Sequence, residues 1–414
     1  MTFAALRFTL YTNGLAPLNK MKKLSVRALE VAGKRVFLRV DFNVPISKGV
    51  IEDDTRIRAS LPTIEHILGA RGRSIVASHL GRPKGKPQPD MSLAPLARQL
   101  SELLKKPVDF AADAAGSEAL EKAQRLRDGQ VLLLENLRFH PGEEKNDPDF
   151  AAKLASLADL YVNDAFGSAH RAHASTVGMV KYFPRAAAGL LMEKELLYLG
   201  LALASPPRPF IALLGGAKVS DKIEVVTNLL GKVDRLLIGG GMAYTFLLSK
   251  GLPTGESLVE PDKVDLAREL LRKSAGKIQL PGDHVVAQGP FEAVDTSPRK
   301  TLPIEQIPEG WMGLDIGPET VAAYSSEIRA AKTIVWNGPM GVFEKEPFAA
   351  GTLKVAEAVA GSGATSIVGG GDSIAAVHKA GVADKITHIC TGGGASLEFL
   401  AGLKLPGVEV LTDA

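Results

Sequence analysis

The chain has almost no cysteine, no long apolar run and no excess of charge of either sign, and each shortage excludes something. A single cysteine, Cys390, among 414 residues cannot form an internal disulfide. Beside the apolar stretch Ile386–Ile389 it is expected to pack in the core. No stretch reaches the ~18 apolar residues of a bilayer span, so a cytoplasmic protein without a membrane partner is the expectation. A net charge of +3 with no basic run gives no basis for a nucleic-acid partner, and any cationic site must be local. Two nucleotide signatures are missing as well. There is no Gly-x-x-x-x-Gly-Lys-Ser/Thr, which leaves a P-loop NTPase unsupported, and no Gly-x-Gly-x-x-Gly with an acid ~20 residues on, which weakens a dinucleotide oxidoreductase. His79, His170 and His173 lack the partners of a zinc set.

What is present describes a large α/β protein. The length exceeds the ~250 to 300 residues at which one core stops growing, so two domains are expected. Apolar runs rich in β-branched residues recur at 35–40, 74–77, 131–134, 209–214, 235–238, 333–336, 365–368 and 387–390. Stretches of helical period separate most of them; Leu93, Leu96, Leu100, Leu103 and Leu104 form one stripe, which Ser92 is placed to cap. Strands alternating with helices, and reading as continuous apolar runs, predict parallel sheets covered on both faces. The boundary is expected near 186–207, where a pattern carrying Met192, Leu196, Leu197 and Leu199 stops at Pro206 and Pro207. Residues 1–20 contain no acid and precede Met21. They read as a mis-called start or a frayed, disordered extension, with a cleaved presequence as the alternative.

The two halves differ in chemistry. In the second, Gly215-Gly216, Gly239-Gly240-Gly241, Gly369-Gly370-Gly371 and Gly392-Gly393-Gly394 each close an apolar strand before a helical pattern. Such turns lie at the carboxyl edge of a parallel sheet, where glycine lets the backbone approach a phosphate and helix N–H groups attract the anion. Lys218 and Lys222, four apart, share a face if a helix begins there, as a phosphate-binding pair or as solvated lysines. Asp372, after a triple glycine, is either an N-cap or a Mg²⁺ ligand. In the first half, Arg56, His79, Arg82, Arg138, His170, Arg171 and His173 recur, most of them just after apolar strands. They read as one anion site at a sheet edge or as unconnected salt bridges.

From Lys23 onward the chain closely resembles the phosphoglycerate kinase family. The resemblance rests on seven motifs in order: Arg39–Pro45, Ser78–Pro83, Glu135–Phe139, His170–His173, Gly215–Val219, Trp336–Glu344 and Gly370–Ser373. It implies two Rossmann-like domains with parallel sheets: 21–190 for phosphoglycerate, 204–402 for nucleotide, joined by a helix over 191–203, with 403–414 returning to the first. It implies reversible phosphoryl transfer between 1,3-bisphosphoglycerate and ADP, direct and in line after domain closure, by a monomer using Mg²⁺. By the same resemblance Asp41, Phe42, Asn43, Arg56, His79, Leu80, Gly81, Arg82, Arg138 and Arg171 hold the phosphoglycerate. Lys222, Gly313, Asn337, Glu344, Gly370, Gly371, Asp372 and Ser373 hold the nucleotide, with Glu344 toward the ribose and Asp372 on the metal. Arg56 and Lys218, with the backbone of Gly371, Gly393 and Gly394, are implied to stabilise the transferring phosphoryl. A fold that has lost catalysis is the non-enzyme alternative, disfavoured because Arg56, Lys218 and Asp372 are all present.

Overall fold

The computed structural model describes residues 22–47 and 49–414; the extension expected at residues 1–20 lies outside them. The chain divides into two compact units, the described residues of Met1–Gly200 together with Lys404–Ala414, and Leu201–Leu403.

The first unit runs β1 (Arg35–Arg39), a small hairpin of β2 (Ile46–Ser47) and β3 (Val50–Ile51), α1 (Thr55–Gly69), β4 (Arg73–Ala77), α2 (Ala94–Leu104), β5 (Val108–Ala111), α3 (Ser117–Arg125), β6 (Val131–Leu134), α4 (Pro148–Ser156), β7 (Leu160–Asn163) and β8 (Ala186–Ala188). Six strands form a parallel sheet in the order β5-β6-β4-β1-β7-β8. Val36, Leu38, Val76, Leu133 and Val162 of its strands pack with Ile64, Ile67, Leu96 and Leu100 of the helices in one buried cluster. Truncating any of these leucines to Ala would cost ~2–5 kcal/mol through lost burial and the cavity left behind. The start of α2 differs from expectation: Glu135 accepts Ser92 Oγ–H at 2.6 Å and Leu93 N–H at 2.8 Å, while Ser92 Oγ takes only Ala94 N–H at 3.2 Å. A carboxylate from the β6 edge thus shares the capping with the local serine. The last residues fasten onto this unit through Leu24 N–H to Thr412 O, 2.7 Å, and Gly407 N–H to Ala169 O, 2.8 Å.

Helix α5 (Leu190–Ala204) follows β8, and its first turn is capped by the buried Asp164, whose Oδ1 accepts Leu191 N–H at 2.9 Å and Met192 N–H at 3.1 Å. The second unit then runs β9 (Phe210–Leu214), α6 (Ile223–Leu230), β10 (Arg235–Ile238), α7 (Met242–Ser249), α8 (Val264–Lys273), β11 (Ile278–Gln279), β12 (Asp283–Gln288), β13 (Arg299–Pro303), β14 (Trp311–Ile316), α9 (Pro318–Ala330), β15 (Thr333–Asn337), α10 (Ala350–Gly361), β16 (Thr365–Gly369), α11 (Gly371–Lys379), β17 (His388–Ile389) and α12 (Gly394–Leu400). Its parallel sheet has the order β11-β10-β9-β15-β16-β17. Counted within the unit this is the Rossmann order 3-2-1-4-5-6, whereas the first unit places its fourth strand inside its third. Between β11 and β15 the chain makes an antiparallel sheet, β13-β12-β14, that the sequence pattern did not announce. Cys390 is buried, as expected.

Candidate functional site

In the first sheet the loops leaving β6, β4, β1 and β7 open side by side onto the carboxyl edge. The strand order reverses between β1 and β7, the crevice where open parallel sheets bind ligands. The loop after β1 brings Asp41 to Asn43, the loop after β4 brings His79 to Arg82, and those after β6 and β7 bring Arg138 and Arg171. Arg56 enters from the first turn of α1.

Asp41 ties these loops together. Its Oδ1 accepts from Arg56 Nη1 at 3.1 Å and from Asn43 N–H at 3.2 Å, and lies 4.0 Å from His79 Nδ1. Burial pushes this carboxyl up, but the His79 ring, the Arg56 and Arg39 charges and the Asn43 N–H together outweigh it and hold the group below its ordinary value. Burial drives His79 well below the usual histidine range; Asp41 pulls it upward, while Arg39, Arg138 and Arg56 push it down again. His79 is therefore neutral. Asn43 Oδ1 accepts Gly81 N–H at 2.8 Å, and Arg138 Nη1 donates to Gly81 O at 2.8 Å, so Gly81 is held from both sides. Arg171 Nε meets His170 Nε2 at 3.0 Å. Arg82 is exposed and makes no hydrogen bond or ion pair among the described residues. Phe42 and Leu80 are core side chains: Phe42 N–H goes to Ser78 Oγ at 2.8 Å, and Leu80 is gripped by Asn136 through both its N–H and its C=O. Two residues outside the expected set organise this edge, the Asn136 clamp and the buried Arg39. The sequence signal for the second was a charged residue inside the apolar run at 35–40.

In the second unit all four glycine clusters lie at the carboxyl ends of strands of one sheet. The loops after β9 and β15 cross so closely that a Cβ on Gly215 would stand 2.0 Å from Pro339 O. Only glycine fits there. Lys218 and Lys222 do not share a helix face. The chain from 215 to 222 is a loop, α6 begins at Ile223 and Lys222 occupies its N-cap. Lys218 is exposed and unpaired among the described residues. Lys222 is buried with its Nζ on Asn337 Oδ1. Burial lowers this amine, against the pull of Asp221 and Asp372. The Asn337 amide nitrogen, also buried, has no partner among the described residues and remains available to an acceptor.

Ser373 Oγ accepts Gly338 N–H at 2.5 Å, pinning the loop after β15 to α11. Gly370, at φ +91°, turns the chain into α11, and Gly393, at φ +50°, turns it into α12, which leaves the first N–H groups of both helices facing the edge. Asp372 lies in the first turn of α11, inside the helix and not at its cap, exposed and without hydrogen bond or ion pair among the described residues. One exposed carboxylate beside glycine turns at two helix starts suits Mg²⁺, which keeps several waters and takes its other ligands from phosphate. Glu344 is exposed after β15. Gly313 sits in β14 with its N–H on Ser257 Oγ, and a Cβ there would stand 1.9 Å from Tyr244 Oη.

The family model for phosphoglycerate kinase matches residues 26–403. The chain is 62% identical over 401 residues to the phosphoglycerate kinase of Solibacter usitatus, covering 94% of this chain and 100% of that one. It is 60% identical over 404 residues to that of Koribacter versatilis, covering 95% and 100%. The solved phosphoglycerate kinase of Coxiella burnetii superposes with a TM-score of 0.85 at 42% identity, and that of Pyrococcus horikoshii with 0.82 at 38%, each covering 94% of this chain and 98% of its own. With the family model, the relatives and the solved structures in agreement, the chain belongs to the phosphoglycerate kinase family.

Proposed function

We propose how the family's reaction, reversible phosphoryl transfer between 1,3-bisphosphoglycerate and ADP to give 3-phosphoglycerate and ATP, is divided over this chain. The first unit holds the phosphoglycerate and the second the nucleotide. The observation that carries this reading is the contrast between the two edges. One gathers Arg56, His79 and Arg138 around Asp41 and Asn43, and the other offers glycine turns at two helix starts. Planar guanidinium forks suit the carboxylate and phosphate of a small acid, while backbone N–H groups suit a polyphosphate.

Arg138, Arg171 and His79 bind the non-transferring end of phosphoglycerate, with Arg82, Asn43 and the main chain of Phe42, Leu80 and Gly81 around them. Lys222, Asn337, Gly370, Gly371 and Ser373 cradle the nucleotide phosphates, with Glu344 toward the ribose and Gly313 toward the base. Arg56, Lys218 and the N–H groups of Gly371, Gly393 and Gly394 stabilise the phosphoryl in flight. Asp372 holds Mg²⁺, which offsets phosphate charge when bound. An acyl phosphate leaves readily and the attacking oxygen of ADP is already anionic, so no side chain need act as base or nucleophile. The protein's task is alignment, worth ~7–11 kcal/mol, and neutralisation of anionic repulsion. The same reading makes the protein a cytoplasmic monomer without nucleic-acid or membrane partners; among the described residues no helix is long and apolar enough to cross a membrane. The test is a coupled assay with 3-phosphoglycerate and ATP. Turnover that requires both substrates and a divalent cation is the expected result, and none would overturn the reading.

A further inference from the structure

Arg39, the last residue of β1, is fully buried, and among the described residues no carboxylate is in hydrogen-bonding contact with it. Its Nε donates to Ser175 Oγ at 2.8 Å, its Nη1 to Val40 O, and its Nη2 reaches His79 Nδ1 at 3.3 Å. A buried guanidinium without a counter-charge costs several kcal/mol. The compensating charge stands one hydrogen bond further on. Glu143 is also fully buried, and its two oxygens accept Ser175 Oγ–H at 2.6 Å and Ser175 N–H at 3.0 Å.

The direction of each proton follows. A hydroxyl has one proton; Ser175 gives it to the carboxylate and keeps its lone pairs for Arg39 Nε–H. The guanidinium has only donors, so the ring nitrogen it faces must be an acceptor. His79 Nδ1 is therefore unprotonated, and Nε2 carries the only ring N–H. Asp41 competes for this outcome, because its Oδ1 lies 4.0 Å from the same Nδ1 and favours a proton there. Two groups thus pull one histidine toward opposite protonation patterns.

We propose that Glu143 and Ser175 are positioning residues that act through Arg39 to hold His79 in its Nε2–H tautomer, the form in which it donates to an oxygen of the phosphoglycerate. The substrate clause rests on placing His79 in the phosphoglycerate site; the tautomer clause does not. The groups acting on His79 are Asp41, Arg39, Arg56 and Arg138. Those acting on Glu143 are Arg39 and Arg138, its Ser175 partner, and His173, whose Nδ1 lies 3.9 Å away. Burial holds the Glu143 carboxyl above its ordinary value, and Arg39 and both Ser175 bonds offset only part of that rise; what the relay uses is the bond geometry, Ser175 Oγ–H on Glu143 at 2.6 Å and Arg39 Nε–H on Ser175 Oγ at 2.8 Å.

The test is ¹⁵N NMR of the full chain labelled at histidine, with the His79 signals assigned by their loss in His79→Gln. In the unaltered chain Nδ1 should appear unprotonated and Nε2 protonated, without titration between about pH 5 and 8. In Ser175→Ala and in Glu143→Gln, Nδ1 should gain a proton or the ring should begin to titrate. KM for 3-phosphoglycerate should rise ~3- to 10-fold, the weight of one hydrogen bond, with kcat and KM for ATP within about two-fold. Ser175→Ala removes a single oxygen and keeps the test decisive if Glu143→Gln does not fold. Unchanged His79 nitrogens in a folded variant would overturn the proposal, whatever happens to Tm, and so would a shifted tautomer with unmoved KM. The spectra are recorded without substrate. Failure of the site assignment, seen as no 3-phosphoglycerate dependence in the unaltered chain, is therefore distinguished from failure of the relay.

Discussion

The two units each present the carboxyl edge of a parallel sheet, and under the proposed division they meet anions there by different means. In the first, cations do the work, and they are tethered: Arg56 to Asp41, Arg138 to Gly81 O, Arg39 to Ser175. In the second, the backbone does it, through positive-φ turns at Gly370 and Gly393, and its two lysines are placed differently, one buried on Asn337 and one exposed. A small acid with two charged ends needs fixed forks at fixed distances. A polyphosphate is met along its length by N–H groups that cost no side-chain entropy to hold. Under the proposed division, two parallel sheets that differ in strand order and in one antiparallel insertion reach two kinds of recognition chiefly through the loops at their carboxyl edges.

The largest expected effect compares one cation from each unit. Arg56→Ala and Lys218→Ala should each lower kcat by ~10²- to 10³-fold and leave both KM values within a few-fold, as when an interaction forms mainly in the transition state. Steady-state kinetics with both substrates varied decides it. Arg56→Lys should recover little, because an ammonium cannot reproduce a planar fork against Asp41 and a phosphoryl oxygen. A rise in KM alone for either alanine variant would move that residue from the catalytic to the binding group.

Buried carboxyls sharpen the contrast. Asp41 is held low by its basic neighbours and the Asn43 N–H, whereas among the described residues Asp315 in the second unit has only backbone donors, Gly351 N–H at 2.6 Å and Ile316 N–H at 2.9 Å. Burial therefore dominates and pushes Asp315 up to about 7. Between the unfolded value near 3.8 and about 7 the native state binds the extra proton, so stability falls as pH rises through that window and levels off above it. The slope contributed is at most about 1.4 kcal/mol per pH unit. Asp164 in the first unit, raised by burial to about 6, adds to the same trend. Asp315→Asn should flatten the decline between about pH 4 and 7 in denaturant unfolding. An unchanged slope would show that Asp315 is ionised throughout.

The smallest expected effect is at the N-terminus. Deleting residues 1–20 should leave kcat and Tm unchanged, and a loss of several degrees would show that the extension contributes to the fold.

Much of this arrangement was legible in the sequence, for local reasons. Buried parallel strands such as β6 and β9 are continuous apolar runs, and a strand, a glycine cluster and a helix start lie within a few residues of one another. The edge strands of the first sheet were not legible: β5 alternates weakly and β8 is three alanines, a strand only because β7 pairs with it; in the second sheet the edge strand β17 was, in the run at 387–390. The antiparallel insertion was hidden because β13 is exposed along nearly its whole length and carries no apolar pattern. Lys218 and Lys222 read as a helical pair because nothing in the spacing shows that α6 starts late. The Arg39, Ser175 and Glu143 relay joins residues 136 and 32 positions apart, and no local pattern reports a hydrogen bond over such a separation.

The central claim is that recognition is split between the units, and calorimetric titration of the whole chain with 3-phosphoglycerate and, separately, with ADP tests it most directly. Arg138→Ala should weaken 3-phosphoglycerate binding by at least ~10-fold and leave ADP within about two-fold, while Lys222→Met should do the reverse, since each removes a charge-assisted contact from one edge only. Arg138→Ala weakening ADP, or Lys222→Met weakening 3-phosphoglycerate, by as much as it weakens its own ligand would contradict the division.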